Sequence, residues 1–355
     1  MNKTRPPVSS QGKIQINVKR TILLLAKHGG LFALARILTA RKTRILAYHG
    51  IWLGEGHFGN FLYMSAEKFA ARMALLDKWQ YPVISLSEVV NGNKNKPRCA
   101  TAITIDDGWY GTWSAMLPVL ERHNYPATVY LTTYYCLNQQ PVIDVALQYC
   151  FHVIDAKRVR ALHLPLYNLE PMFTDTDQAR KKALAAALNI SASLDDDAAR
   201  QKFLQALCAE IGINHAQLMA GRWFHLMAPE EVKDAAKRGI TFESHTHHHR
   251  IDHHATDCLA EEISINREHI NSLAGRIPQH FCYPSGRFSS ALWPILEMGH
   301  MASATTTDIG LVDDKTPKYA LPRILDGHDV SELELEAEMS GFMELSRRLL
   351  RIGKR

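Results

Sequence analysis

Short runs of apolar and β-branched residues alternate along the chain with longer stretches whose apolar positions recur every three or four residues. Eight runs read as strands: RILAYHG (44–50), YPVISL (81–86), CATAITID (99–106), ATVYLTT (127–133), ITFESHT (240–246), HFCYPSG (280–286), MASATTT (301–307) and LPRIL (321–325). Between them, Phe69, Met73, Leu76 and Trp79 fall at helical spacing over Ser65 to Gln80. Further helical patterns cover 112–124, 229–238, 257–274 and 289–298. Pro229-Glu230-Glu231 suits a first helical turn, and Gly239 and Gly299 suit helix ends. Strands alternating with helices imply parallel βα units. The count predicts an α/β fold, a distorted (β/α) barrel of seven to eight parallel strands.

Three segments depart from that rhythm. The stretch 135–225 is too long for a simple connection and reads as a helical insertion, with the Ala-rich KKALAAALNI and a second helix near 196–211. It either covers one side of a site, contacts a substrate or partner, or is a structural elaboration. Residues 331–355 have the pattern of a final helix. Residues 1–43 form a basic N-terminal segment, helical over 15–40, which either lies on a membrane or packs on the domain. The barrel itself spans 44–330.

Charge sharpens the view of the ends. The 355 residues are 46% hydrophobic and 22% charged, with 41 Lys and Arg against 36 Asp and Glu. The first 54 residues hold ten basic residues and no acid; without them the chain carries 31 basic against 36 acidic groups. Arg347, Arg348, Arg351, Lys354 and Arg355 make the other end basic too. Basic ends suit phospholipid headgroups. Nucleic acid is not an expected partner, because no nucleic-acid module or aromatic platform accompanies the charge. A solvated tail is the plain alternative. TILLLA (21–26) is interrupted by Lys27 and His28, too short for a signal peptide or a spanning helix; a transit peptide is a further alternative. The six cysteines show no CxxC and no metal-ligand spacing, which points to a reduced, cytoplasmic protein with a peripheral membrane contact through its basic N-terminus.

The chemistry sits at strand ends. Asp106, His245 and Tyr283 all fall at the C-terminal ends of predicted strands, and in a βα barrel those ends converge on one face. TIDDGWY offers Asp106 and Asp107; SHTHHHR offers His245 and His249 at i, i+4. Two imidazoles and one carboxylate make a catalytic metal set, with a second carboxylate spare as a base. Imidazole donors favour Zn²⁺, Co²⁺, Ni²⁺ or Fe²⁺ over Mg²⁺, and zinc is the leading expectation. His247, His248, His253 and His254 crowd the same segment and leave the choice of ligands open. Asp-Gly is also a hairpin signal, but a helical pattern, not a strand, follows Gly108.

With these residues in place, the chain resembles the polysaccharide deacetylase (NodB-homology) family of carbohydrate esterases, in its exopolysaccharide-biosynthesis branch. Thr104-Ile105-Asp106-Asp107-Gly108 is similar to its T-F-D-D-G motif and His245-Thr246-His247-His248-His249 to its H-[S/T]-x-x-H. FCYPSG (281–286), AYHG around Tyr48 and His49, and LPRI (321–324) are similar to flanking signatures of that branch. The resemblance implies Asp106 as general base and Asp107, His245 and His249 as metal ligands. It implies a backbone N–H near Tyr283 at the oxyanion, Arg323 orienting Asp106, and substrate contacts from Tyr48, His49, Trp109 and Tyr283. Ile105 replaces the usual Phe, the Arg-Pro-Tyr form of the third motif is absent, and His328 in LDGH is the nearest match for the general acid.

The implied activity is metal-dependent hydrolysis of the N-acetyl group of an amino sugar in a polysaccharide or its precursor. The partner would be an N-acetylated glycan or a lipid-linked sugar. Two rivals are a deformylase or deacylase of a lipid-linked amino sugar and a non-catalytic carbohydrate-binding barrel.

Overall fold

Seven of the eight strand-like runs close on themselves. The computed structural model describes residues 10–91, 96–154, 161–251 and 256–352. Its strands are β1 Arg44–Tyr48, β2 Thr101–Asp107, β3 Ala127–Leu131, β4 Ile240–Ser244, β5 His280–Cys282, β6 Ser303–Ile309 and β7 Leu321–Leu325. Each pairs in parallel with its neighbours in sequence, and β1 pairs with both β2 and β7, closing the barrel. Side chains alternate across the wall. Ile103, Ile105, Val129 and Phe242 pack outward on helical residues such as Phe69, Met73 and Leu120. Ile45, Ala102, Tyr130, Cys282 and Leu321 form a separate inner cluster. The β4–β5 seam is held by a single registered pair, Ser244 with Phe281.

The eighth run, YPVISL, is not a strand. Val83 makes one parallel bridge to Thr101, and the chain then turns at Ser85. Ser85 and Glu88 form a capping box that starts the helix Leu86–Val90. Leu86 and Val89 pack with Ile45 and Ala102 in the inner cluster. Ile84 and Leu86 are apolar because they fill the inner cluster, and Tyr81 and Val83 because they pack in the outer core.

Both ends are broken into two helices. The N-terminal segment is two helices, α1 Ser10–His28 and α2 Leu31–Leu38, bent by 73° at Gly29-Gly30. No single described helix is long and apolar enough to cross a membrane. The insertion holds α3 Ile143–Val153, α4 Asp177–Ser193 and α5 Asp197–Ile211, with an antiparallel hairpin Ala161–Leu164 and Leu169–Phe173. It has its own core, in which Leu147, Phe203 and Leu207 meet Trp52 and Phe58 from the loop after β1. The C-terminal pattern is two helices, α6 Glu332–Met339 and α7 Phe342–Ile352, instead of one. They break at Gly341, whose φ is +83° and whose added Cβ would lie 2.4 Å from Thr39 Oγ1. His253 and His254, with Lys3, Arg5, Lys354 and Arg355, lie outside the described residues.

Candidate active site

Adjacent residues on a strand normally face opposite sides. Asp106 and Asp107 both reach the barrel mouth because the strand ends in a left-handed turn, with φ of 69° at Asp107 and 86° at Gly108. Thr246, His249 and Ser285 also have positive φ. The mouth is thus built on backbone held in a sparsely populated region, a state that the surrounding packing must enforce. After Gly108 the chain enters a π turn, Thr112–Met116, and the helix Leu117–His123, so Asp-Gly here makes no hairpin. A Cβ at Gly108 would lie 2.5 Å from Leu131 Cδ1. Gly108→Ala should therefore cost about 1–2 kcal/mol from the left-handed backbone alone, read as a lower thermal midpoint.

Three donors converge at the mouth. Asp107 Oδ1 lies 3.3 Å from His245 Nε2 and 3.3 Å from His249 Nε2. The three ligand atoms fall within 4.8 Å of one another. The remaining polar atoms of two of these side chains are already engaged. His245 Nδ1 donates to the Cys282 carbonyl at 2.8 Å, and Trp109 Nε1 donates to Asp107 Oδ2 at 2.8 Å. A carbonyl only accepts, so Nδ1 carries the proton and Nε2 is left to face the other donors. Outer partners that fix a ligand's tautomer and direction in this way are what a metal site needs, and the donor set fits a divalent cation.

The electrostatic surroundings support that fit. Burial opposes a charge on Asp107, but the His245 hydrogen bond and the nearby His249 and His49 outweigh it, and its carboxyl is held well below the usual range. Burial pushes His249 down to about 4 against the pull of Asp107, so it meets a cation as the neutral imidazole. Burial likewise disfavours charge on His245, yet Cys282 and Asp107 hold its proton, and the net shift is upward. A cation must displace the proton on Nε2, the nitrogen that faces Asp107, while Nδ1 keeps its own. Metal uptake should release protons and weaken as pH falls, which calorimetry in buffers of different ionisation enthalpy would read. Trp109→Phe should weaken metal binding roughly 10–100-fold while keeping the fold, as expected when an outer-shell hydrogen bond is lost.

The second carboxylate has a different environment. Arg323 pairs with Asp106 in bidentate fashion, Nη1 to Oδ1 and Nη2 to Oδ2, each at 2.7 Å. The guanidinium is also held by the Thr306 carbonyl at 2.9 Å and Thr104 Oγ1 at 3.2 Å, with no exposed surface. His49 Nε2 is 3.4 Å from Asp106 Oδ2. Burial raises the Asp106 carboxyl, but Arg323 and then His49 overcome it and the net shift is downward. Asp106 is ionised, fixed in direction, and next to an imidazole.

These groups open on a cavity of about 370 Å³ lined by His49, Asp106, Asp107, Trp109, His245, His249 and Tyr283. Three of the expected residues are not among its lining: Arg323 stands behind Asp106, and Tyr48 and His328 lie elsewhere. Tyr48 faces the opposite side of β1 from His49 and is buried edge-on against Phe69. His328 is carried off by the loop after β7: its ring stacks on His57 at 3.6 Å and its carbonyl accepts from Lys68. Arg72 anchors that loop through Asp326 at 2.8 Å. Tyr283 lines the cavity, but its own N–H donates to the Thr305 carbonyl at 3.3 Å, so it is spent inside the barrel.

Residues 93–159 and 193–301 match the polysaccharide deacetylase domain. The chain belongs to the polysaccharide deacetylase family. It is therefore a hydrolase of the class that acts on amide N-acetyl groups. The unmatched stretch between the two segments covers the hairpin and most of α4. No curated protein matches the chain in sequence. Among solved structures it is similar to the Streptococcus pyogenes deacetylase PplD in complex with acetate (14% identity, TM-score 0.54, 84% of this chain and 98% of that one). It is also similar to IcaB from Ammonifex degensii (13% identity, TM-score 0.53, 84% and 97%). A third is the de-N-acetylase from Aggregatibacter actinomycetemcomitans (13% identity, TM-score 0.52, 84% and 99%). At these identities the likeness is one of fold.

Two features of the deacetylase site have little sequence signal. Cys282 places its carbonyl on His245 and its thiol 3.3 Å from Arg323 and 3.7 Å from Asp106. Only its place one residue before Tyr283, on an inward-facing strand position, hints at this. Trp109 serves Asp107 through its indole N–H, where the resemblance implied a substrate contact.

Proposed function

We propose that this deacetylase removes the N-acetyl group of an amino sugar in a polysaccharide or its precursor, using a divalent metal, most favourably zinc, and releasing acetate. The observation that carries the reading is the pairing, in one cavity, of the Asp107–His245–His249 donor set with the separately held Asp106–Arg323–His49 group. A cation bound by the three donors would supply Lewis acidity to the acyl oxygen and acidify a water. Asp106, ionised and aimed by Arg323, takes the proton of the attacking water. His49, 3.4 Å from the same carboxylate, is placed to receive that proton and deliver it to the leaving nitrogen. This gives His49, rather than His328, the role of acid. Trp109 and Cys282 hold the direction of Asp107 and His245 while the charge develops. The products are acetate and a free amino sugar.

A second reading has its own observation. The insertion side of the cavity has an aliphatic part, Val142, Val145, Leu184 and Leu188 from α3, α4 and the turn before α3, beside Tyr135, Asp144 and Gln148. Sugar hydroxyls gain nothing from the aliphatic part. It favours a substrate with an apolar portion, as in deacylation of a lipid-linked amino sugar. Parallel assays for acetate and formate, with N-acetylated oligomers and N-acylated lipid-linked sugars, separate the readings. Acetate from oligomers supports the first; acid only from lipid-linked substrates supports the second. Glycan binding by metal-loaded protein without release of any acid overturns both.

A further inference from the structure

We propose that α1, α2 and the last turns of α7 form a docking surface for an anionic phospholipid bilayer, a property separate from the hydrolytic reading. Each N-terminal helix is apolar on two faces. The inner stripe, Leu23, Ala26 and Phe32, is buried on Ala337 of α6 and on Phe342 of α7, and Ala35 is buried too. The outer stripe runs beside it on the solvent side: Val18, Ile22 and Leu25 on α1 fall at i, i+4 and i+7, and Leu31, Leu34 and Ile37 on α2 at i, i+3 and i+6. All six are exposed. Leu25, Ile37 and Leu38, with Leu349 and Leu350 of α7, are 64–70% exposed. A water-facing surface helix is polar on its outer side, whereas these carry a second apolar stripe with nothing over it.

Charge selects the occupant. The first 54 residues contain no acid. Arg20 and Arg41 are exposed and make none of the described ion pairs, whereas Lys19, Lys27 and Arg348 are paired with Glu334, with Glu336, and with Asp313 and Glu344. An apolar stripe edged by cations matches the boundary between headgroups and acyl chains of an anionic leaflet. The 73° bend at Gly29-Gly30 gives two short helices in place of one long enough to span, which suits lying in the interface.

The position of the surface sets an orientation. α2 and α7 meet at the end of the barrel where strands begin: Arg44, the first residue of β1, donates to the Met339 carbonyl, Thr39 Oγ1 donates to the Ser340 carbonyl, and Lys42 pairs with Glu344. Asp106 and Asp107 close β2 at the other end. Docking through α2 and α7 turns the cavity away from the bilayer, toward glycan in the aqueous phase.

Co-sedimentation of the full chain with vesicles of phosphatidylcholine, with and without phosphatidylglycerol, tests this. Binding is expected to the mixed vesicles and should fall as salt rises. Leu34→Glu with Ile37→Glu should reduce the partition coefficient at least roughly tenfold, with circular dichroism and hydrolysis of soluble substrate unchanged. Ile22→Glu with Leu25→Glu does the same on the other helix and stands in if the first pair fails to fold. Equal partitioning of wild type and both variants overturns the proposal. So does an absence of binding to either vesicle, or a dimer in sedimentation velocity that the variants dissociate without any vesicle binding.

Discussion

Asp106→Asn should leave the metal in place and reduce turnover by about 10²–10⁴-fold, the usual contribution of a positioned general base. Asp106 is not one of the three convergent donors, so elemental analysis should give the same metal content as wild type. The loss should fall on kcat more than on KM, because the carboxylate acts on the water and not on the sugar. The substitution also removes the counter-charge of a wholly buried arginine, so the variant should melt earlier; metal content and circular dichroism together separate lost chemistry from lost fold. Undiminished turnover at full metal loading would remove Asp106 from the mechanism. Loss of the metal itself would instead move Asp106 into the ligand set, beside His245 and Cys282, with which it forms a second possible cluster.

Arg323→Met should have the largest effect on stability, about 3–5 kcal/mol, because it strands a buried carboxylate. Two hydrogen bonds to Asp106 and one to the Thr306 carbonyl vanish together. The sign of the pH effect follows from the direction of the shift. Arg323 lowers the Asp106 carboxyl against burial, so the pair stabilises the fold above the ordinary carboxylate pKa and that contribution fades as pH falls through the lowered value. Without Arg323, burial is opposed only by His49 and His245, and the carboxyl titrates higher. The acidic limb of the pH–rate profile should therefore move to higher pH. Chemical denaturation measures the first effect and the profile the second. An unmoved acidic limb in a folded Arg323→Met protein would mean that Arg323 is only a structural filler of the barrel.

Much of this architecture is legible in the chain because two periodicities are clear. The period of two in CATAITID and ITFESHT marks strands whose alternate faces meet helices and barrel interior, and the strand ends are where Asp106, Asp107 and His245 stand. YPVISL shows where periodicity misleads: Leu86 and Val89 are apolar because they plug the barrel, and an apolar plug looks like an apolar strand. The single helix expected over 331–355 failed at Ser340-Gly341, where close approach to Thr39 demands glycine, a long-range contact that no local pattern announces.

The site divides in the same way. Asp107, His245 and His249 are three donors whose spacing and strand placement bring them together, and the structure sets them around one point. Arg323 was expected near Asp106 and forms the bidentate pair with it. The acid was harder, because proximity across a barrel leaves no trace in spacing. His49 directly follows β1 and Asp106 lies on the adjacent strand β2, and only the strands' register, Tyr48 beside Ile105, brings these next residues into reach. His328, one loop beyond β7, is drawn to His57 instead.

The central claim is that the Asp107–His245–His249 set holds a metal required for amide hydrolysis. The most direct measurement follows acetate released from an N-acetylated hexosamine oligomer by chelator-stripped protein as zinc is added back, in wild type and in His249→Ala. The account predicts no release without metal, recovery that saturates at one equivalent per chain, and little recovery in His249→Ala at the same zinc concentration. Full activity in the stripped protein, or equal zinc-dependent recovery in the variant, would contradict it.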